Sequence, residues 1–180
     1  MIEIRNVGSF PFGLIQKPNY CIPANVEAVT RYLKPSTSVT QDYLVSRYQS
    51  QCGGPLSEIS LSKIKACVLD NDPEFRWAQA DFVAPERLPT YEAFVAHVKE
   101  SIRNSLPHII SVPVIWLGAL RGWHMLTVVG YDDQNFEAYN SEPGDFLANR
   151  ANLPFAKLKS DLLSAHPNSE VTDSLVLHPR

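Results

Sequence analysis

The sequence predicts an α+β fold, in which a mainly helical part, residues 1–107, packs on a mainly antiparallel β-sheet part, residues 108–180. Apolar residues recur at helical spacing in the first part, whereas the second holds apolar, β-branched runs separated by short turns. Helices that come first and strands that come later favour α+β over alternating βαβ units. A length of 180 residues with 44% hydrophobic composition suits a single domain, 1–180, with its own core.

The helical part is expected to follow an extended segment at 1–20, which contains several helix-breaking proline and glycine residues. Pro23 fits the first turn of the first helix, where a missing N–H costs nothing. Thr40 and Thr90 are suitable N-caps for the second and fourth helices. The helices predicted in this part are 24–33, 40–48, 60–69 and 90–104.

The sheet part is expected to start with three strands that follow one another closely along the chain. Their predicted ranges are 108–117, 122–131 and 136–141, and a polar turn joins the last two. After them come a predicted loop at 144–153, a fifth helix at 154–165 and a short strand at 175–177. The cleft between the helical part and the sheet is the natural place for a functional site.

Charge and hydropathy exclude several classes of partner. The formal net charge of −3, from 16 basic and 19 acidic residues, lacks the basic footprint of a nucleic-acid-binding protein. The longest apolar stretch, 109–120, is too short to span a bilayer, and residues 1–10 lack the apolar region of a secretory signal. We therefore expect a soluble protein with no nucleic-acid or membrane partner, cytoplasmic or exported without a cleaved N-terminal signal. The sequence does not predict its oligomeric state.

The three cysteines are too few and too widely spaced for a disulfide framework or a zinc site. Their odd number leaves at least one thiol free. Cys52 and Cys67 lie 15 residues apart without flanking metal ligands, so neither is assigned a role and no metal is expected.

The most informative pair is Cys21, at the head of the first helix, and His124, in an apolar strand. A helix N-terminus carries a partial positive charge, which is expected to lower the pKa of the Cys21 thiol. A histidine brought alongside could take the thiol proton and later donate it to a leaving group. A cysteine or a histidine of this kind, taken alone, is more often a packed core residue. The prediction of a catalytic site therefore depends on the two residues together.

A catalytic histidine needs a third group to fix its tautomer, and acyl chemistry needs donors for the developing oxyanion. Asn140 and Glu142 lie two residues apart after the histidine strand and therefore share one face. Asn140 is the first choice for the third group and Glu142 the alternative. The backbone N–H of the cysteine and the side-chain amide of Gln16 are the expected oxyanion donors.

These residues form a longer pattern with their neighbours. It consists of Gln16, the helix start Cys21-Ile22-Pro23-Ala24, the pair Trp123-His124, the run Val128-Val129-Gly130-Tyr131 and the pair Asn140-Ser141. This pattern resembles the papain-like cysteine peptidase superfamily. The helix start, followed by Tyr32-Leu33, is similar to the bacterial peptidase C39-like branch in particular.

The resemblance implies a papain-like fold in which the helical part carries the nucleophile helix and the antiparallel sheet carries the histidine. It implies that Cys21 is the nucleophile and His124 the general base and acid. Asn140 would orient His124, and Gln16 would line the oxyanion hole.

Two departures from the family pattern keep alternatives open. The step from Gln16 to Cys21 is one residue shorter than usual, which leaves Asn19 as an alternative oxyanion donor. Glu142-Pro143 stands where the C39-like branch commonly has Asp-Pro, which leaves Glu142 as the alternative third member.

The implied activity is hydrolysis of a peptide or amide bond in a peptide or protein substrate, through a Cys-His-Asn or Cys-His-Glu triad and an acyl-enzyme. Thiol acyl transfer needs no metal, so no cofactor is expected. The same triad could instead deamidate glutamine or transfer an acyl group, depending on loops such as 50–107, which match no family feature. A catalytically inactive peptide-binding module on this scaffold is the remaining alternative.

Overall fold

The computed structural model describes residues 1–116, 119–142 and 149–180. Its helices are α1 (Cys21–Leu33), α2 (Gln41–Cys52), α3 (Leu61–Ile64), α4 (Tyr91–Arg103) and α5 (Phe155–Ala165). Its strands are β1 (Ile2–Glu3), β2 (Ala78–Val83), β3 (His108–Trp116), β4 (Ala119–Tyr131), β5 (Asn135–Asn140), β6 (Arg150–Pro154) and β7 (Ser174–Pro179). None of the helices in these ranges is long and apolar enough to cross a lipid bilayer.

All strands belong to one antiparallel sheet. Six of them follow the order β2-β7-β3-β4-β5-β6, and β1 pairs with the end of β4. The α+β class and the antiparallel sheet predicted from the sequence are therefore confirmed. Because β2 comes from the mainly helical half of the chain and pairs with β7, both halves contribute to the same sheet.

Element boundaries differ from the predictions in a few places. The first helix begins at Cys21 rather than at residue 24, since a proline is tolerated in the first turn. Thr40 and Thr90 cap α2 and α4 as expected, each accepting a hydrogen bond from a backbone N–H three residues on. The predicted loop 144–153 is wrong at its end, where β6 begins; its residues 144–148 lie outside the described ranges.

Two buried clusters pack against the sheet. Met125 and Leu126 of β4 belong to different clusters, because successive side chains of a strand point to opposite sides. The cluster that contains Leu126 packs α4 and α5 on the sheet and also includes Ala28 of α1. The cluster that contains Met125 packs α1, α2 and α3 on the sheet. This second contact places the start of α1 against the middle of β4.

A disulfide joins Cys52, at the end of α2, to Cys67, in the π-helical stretch that continues α3. Their Cα atoms are 5.9 Å apart, within the usual range for a disulfide. No role was assigned to either cysteine from the sequence, because their approach depends on the packing of two helices and not on a sequence motif. Closing a loop of this length stabilises a fold by about 3 kcal/mol. Cys21 remains a free thiol.

Candidate active site

The candidate nucleophile, Cys21, is the first residue of α1 and is half-buried. Burial is the main influence on its thiol, and it raises the pKa of Cys21 above the ordinary value. The backbone amides of Met125 and Ile22 favour the thiolate and offset part of this effect, while the carboxylate of Glu142 adds to the increase. The expectation of a lowered pKa is therefore wrong, because burial outweighs the N–H groups at the helix start.

Cys21 packs against the buried cluster that contains Met125, the residue of β4 that follows His124. Because its pKa is raised, the Cys21 thiol is protonated at neutral pH. Chemistry at this sulfur therefore requires a base close to it.

His124 and Asn140 are brought together by the register of β4 and β5. Leu126 lies opposite Asn140, and His124 is two residues before Leu126, so His124 and Asn140 share one face. Nε2 of His124 lies 2.7 Å from Oδ1 of Asn140. Since an amide oxygen only accepts hydrogen bonds, Nε2 carries the ring hydrogen in this contact. In the neutral ring, Nδ1 therefore keeps its lone pair and can accept a proton.

The amide of Asn140 is itself held in place. Asn140 is 3% exposed, and its Nδ2 donates to the backbone oxygen of Glu142 at 2.6 Å. Its Oδ1 also accepts from the backbone N–H of Glu142 at 3.1 Å. The orientation that presents Oδ1 to the imidazole is thus fixed by the adjoining backbone.

The side chain of Glu142 approaches the other ring nitrogen. Its Oε2 lies 3.9 Å from Nδ1 of His124, a contact that is an ion pair only when the ring is protonated. The same oxygen accepts a hydrogen bond from Nε2 of Gln16 at 3.0 Å. The carboxylate side chain is 66% exposed. The two candidates for the third member, Asn140 and Glu142, therefore contact different nitrogens of one ring.

Gln16 joins this group, and its alternative Asn19 does not. The backbone N–H of Gln16 donates to the backbone oxygen of Ser141 at 2.9 Å, and its Oε1 accepts from the Ser141 hydroxyl at 2.8 Å. Asn19 lies exposed in the loop before α1, with a left-handed backbone (φ 65°). Within the described ranges no hydrogen bond links Asn19 to the group.

A residue that the sequence analysis missed connects the elements of the site. Asn25, one helical turn after Cys21, is fully buried. Its Nδ2 donates to the backbone oxygens of Cys21 at 2.8 Å and Met125 at 3.1 Å, and lies 3.3 Å from the Ser141 hydroxyl. Its Oδ1 accepts from the Thr127 hydroxyl at 2.6 Å. Asn25 therefore ties α1 to β4 and to the residue after β5. The signal for it is a polar residue on the apolar face of the first helix.

Among the residues that the structure describes, no three or more His, Cys, Asp or Glu side chains are arranged to hold a metal ion. The arrangement includes a thiol, an imidazole, a carboxylate and the side-chain amides of Gln16, Asn25 and Asn140, which are groups suited to acyl chemistry.

Comparisons with known proteins identify the fold. No protein-family model and no curated protein sequence matches the chain. The structure is similar to the peptidase domain of Streptococcus ComA, a bifunctional ABC transporter involved in a quorum-sensing pathway, with a TM-score of 0.56, 13% identity and coverage of 100% of both chains. It is also similar to a Bacillus anthracis protein described as a C39-like peptidase, with a TM-score of 0.60, 11% identity and coverage of 99% of this chain and 98% of that one. The protein thus has the papain-like fold of the C39 peptidase domains.

Proposed function

We propose that the protein is a papain-like thiol hydrolase that cleaves peptide or amide bonds through an acyl-enzyme on Cys21. The observation that carries the proposal is the hydrogen bond from Nε2 of His124 to Oδ1 of Asn140. It leaves Nδ1 able to accept a proton, and Met125, the residue after His124, belongs to the buried cluster against which Cys21 packs. The structural neighbours, which are described as peptidases, support the same class of reaction.

In the first step His124 acts as a general base. Nδ1 takes the proton of the Cys21 thiol while the sulfur attacks the carbonyl carbon of the substrate. The imidazolium that forms keeps its hydrogen bond to Asn140 and is attracted by the carboxylate of Glu142. His124 then donates the proton to the leaving amine as the carbon–nitrogen bond breaks, which leaves a thioester on the sulfur.

In the second step water releases the acyl group. His124 takes a proton from the water as its oxygen attacks the thioester carbon, and it gives that proton to the sulfur as the carbon–sulfur bond breaks, which regenerates the thiol and releases the acid. The negative oxygen that develops in each step would accept hydrogen bonds from the Cys21 backbone N–H and from Nε2 of Gln16. The amide NH₂ group of Gln16 has two hydrogens. One of them is donated to Glu142, so the other can be donated to the oxyanion.

The proposed reaction is tested by incubating the protein with a mixed peptide library and analysing the products by mass spectrometry. The native protein is expected to produce new peptide termini and a thioester adduct on Cys21. The Cys21→Ala variant is expected to produce neither. Ammonia release without chain cleavage would instead identify a glutamine deamidase. Transfer of acyl groups to added amines would identify an acyltransferase. Absence of every product and of any adduct would contradict the proposal and favour an inactive peptide-binding module.

Two matched substitutions distinguish Asn140 from Glu142 as the group that orients His124. Asn140→Ala is expected to lower kcat/KM by about 10- to 100-fold, because a hydrogen bond to a charged group contributes about 1.5–3 kcal/mol. Glu142→Gln is expected to change kcat/KM by less than about 5-fold, because exposed ion pairs rarely contribute more than about 1 kcal/mol. Steady-state kinetics on correctly folded variants provides the measurement. A greater loss for Glu142→Gln than for Asn140→Ala would assign the role to Glu142.

A further inference from the structure

A groove begins beside the candidate nucleophile and consists of two adjoining cavities. The first, of about 470 Å³, is lined by Ile22 and Met125, which follow Cys21 and His124 directly in the sequence. The second, of about 500 Å³, shares four lining residues with the first, namely Pro85, Glu86, Ser169 and Val171. The groove is therefore continuous from the start of α1 to the start of α4.

The groove is predominantly acidic. Asp173 and Glu86 line the first cavity, and Glu86, Glu92 and Glu170 line the second. Glu92 and Glu170 of the second cavity both form ion pairs with Lys159, at 3.2 Å and 3.1 Å, so one positive charge offsets part of their combined negative charge. In the described ranges of the chain neither Asp173 nor Glu86 forms a salt bridge. Both cavities therefore keep uncompensated negative charge, and in the first cavity Asp173 and Glu86 supply it.

Asp173 is the more buried of these two acids and has a partly apolar setting. The same cavity is lined by Ile22, Leu61, Met125 and Val171. Burial raises the pKa of Asp173, and hydrogen bonds from its own backbone amide and from the side chains of Thr172 and Ser111 offset only part of this effect. The Thr172 hydroxyl lies 3.4 Å from Oδ1. A desolvated carboxylate of this kind is stabilised when a cation binds next to it.

Part of the lining of the same cavity is aromatic. Trp123, one residue before His124, stacks on His166 with ring centroids 5.3 Å apart. An indole face attracts cations, and apolar walls suit the methylene stem of a long basic side chain. His166 is exposed, and among the described residues that line the first cavity it is the only one with a basic side chain.

We propose that this groove binds a substrate peptide next to its scissile bond and that Asp173 selects an arginine or lysine side chain in the first cavity. The proposal rests on the proposed function, because the groove is assigned to the substrate through its position beside Cys21. To the proposed hydrolase activity it adds the class of substrate, which is a peptide with a basic residue close to the bond that is cleaved.

Peptidyl acyloxymethyl ketones, which alkylate an activated cysteine thiol, provide the probes for this selectivity. Matched probes carry arginine, lysine, citrulline or norleucine at one of the three positions before the reactive carbonyl. At one position the second-order rate constant for labelling Cys21 is expected to be about 10- to 100-fold greater for arginine than for citrulline, the size of a charge-assisted contact. Citrulline has nearly the shape of arginine without its charge, so this ratio isolates the charge.

Three variants test whether Asp173 causes the preference. Asp173→Asn is expected to reduce the ratio between arginine and citrulline to below about 3, whereas Asp173→Glu retains a preference for arginine because it keeps the charge. Asp133→Asn, in the turn after β4, makes the same change in net charge outside the groove and is expected to leave the ratio unchanged. Loss of the ratio in Asp133→Asn as well would attribute it to net charge and contradict the proposal.

The remaining outcomes separate this proposal from the proposed function. Equal labelling rates for arginine and citrulline at all three positions would contradict a basic selectivity and leave the thiol hydrolase intact. Absence of labelling by every probe would contradict the hydrolase instead. In that case the unreactive peptide amides are titrated into Cys21→Ala by tryptophan fluorescence. Binding at least about 10-fold tighter for arginine than for citrulline would then support the groove, and equal binding would contradict it.

Discussion

His124→Ala is expected to lower kcat by roughly 10²–10⁴-fold at pH 7, the usual contribution of a general acid–base group. The effect is large because burial raises the pKa of Cys21, so the thiol is protonated at this pH and its attack depends on a base. Loss of the imidazole also removes the proton donor for the leaving amine. Steady-state kinetics with a peptide found by the library experiment provides the measurement.

His178→Ala is the matched control for this substitution. His178 is exposed near the end of β7, and kcat is expected to stay within about 2-fold of the native value, as for most surface substitutions. Combining His124→Ala with Cys21→Ala should cost little more than Cys21→Ala alone, because residues that act as one unit are strongly non-additive. A His124→Ala variant that retains more than half of the native kcat would exclude His124 as the base.

Asn25→Leu is expected to lower the free energy of unfolding by about 3 kcal/mol, which corresponds to a decrease in Tm of about 6–12 °C for a chain of this size. Leucine has a similar volume but cannot hydrogen-bond. The substitution therefore leaves the Thr127 hydroxyl and the Met125 backbone oxygen without their buried partner. Urea unfolding monitored by circular dichroism provides the measurement.

A double-mutant cycle shows whether this loss comes from the buried hydrogen bonds. Thr127→Val removes the hydroxyl that donates to Asn25, so Asn25→Leu should cost less in the Thr127→Val background than in the native protein. Asn152→Leu, at an exposed position of β6, is the control and is expected to change stability by less than about 0.5 kcal/mol. A loss below about 1 kcal/mol for Asn25→Leu would show that its hydrogen bonds stabilise little.

The parts of the fold that the sequence predicted well are those with local signals. Helix α4 combines a threonine cap with the apolar residues Phe94, Val98 and Ile102 at helical spacing, and all three are buried. Strand β2 was missed because it is an edge strand whose pattern includes Asp81, and it is stabilised by its pairing with β7. The disulfide was missed for a similar reason, since only the packing of two helices brings its cysteines together.

In the candidate site, too, local sequence signals were predictive and features that depend on distant parts of the chain were not. The pattern around Cys21, His124 and Asn140 indicated which residues to examine, and the strand register brings the last two into contact. The direction of the Cys21 pKa was predicted wrongly, because the degree of burial is not visible in a sequence. Asn25, a polar residue on the apolar face of the first helix, and Asp173 were not singled out, since the importance of each depends on partners that are distant along the chain.

The pairing of Cys21 with His124 is tested most directly by the pH dependence of Cys21 alkylation with iodoacetamide. At pH 6–7 the native protein is expected to react at least about 10-fold faster than His124→Ala, because only the native protein has a base for the buried thiol. The His124→Ala profile should rise only above the ordinary thiol range, since burial holds the pKa of Cys21 high. Superimposable profiles for the two proteins would show that imidazole and sulfur do not act together.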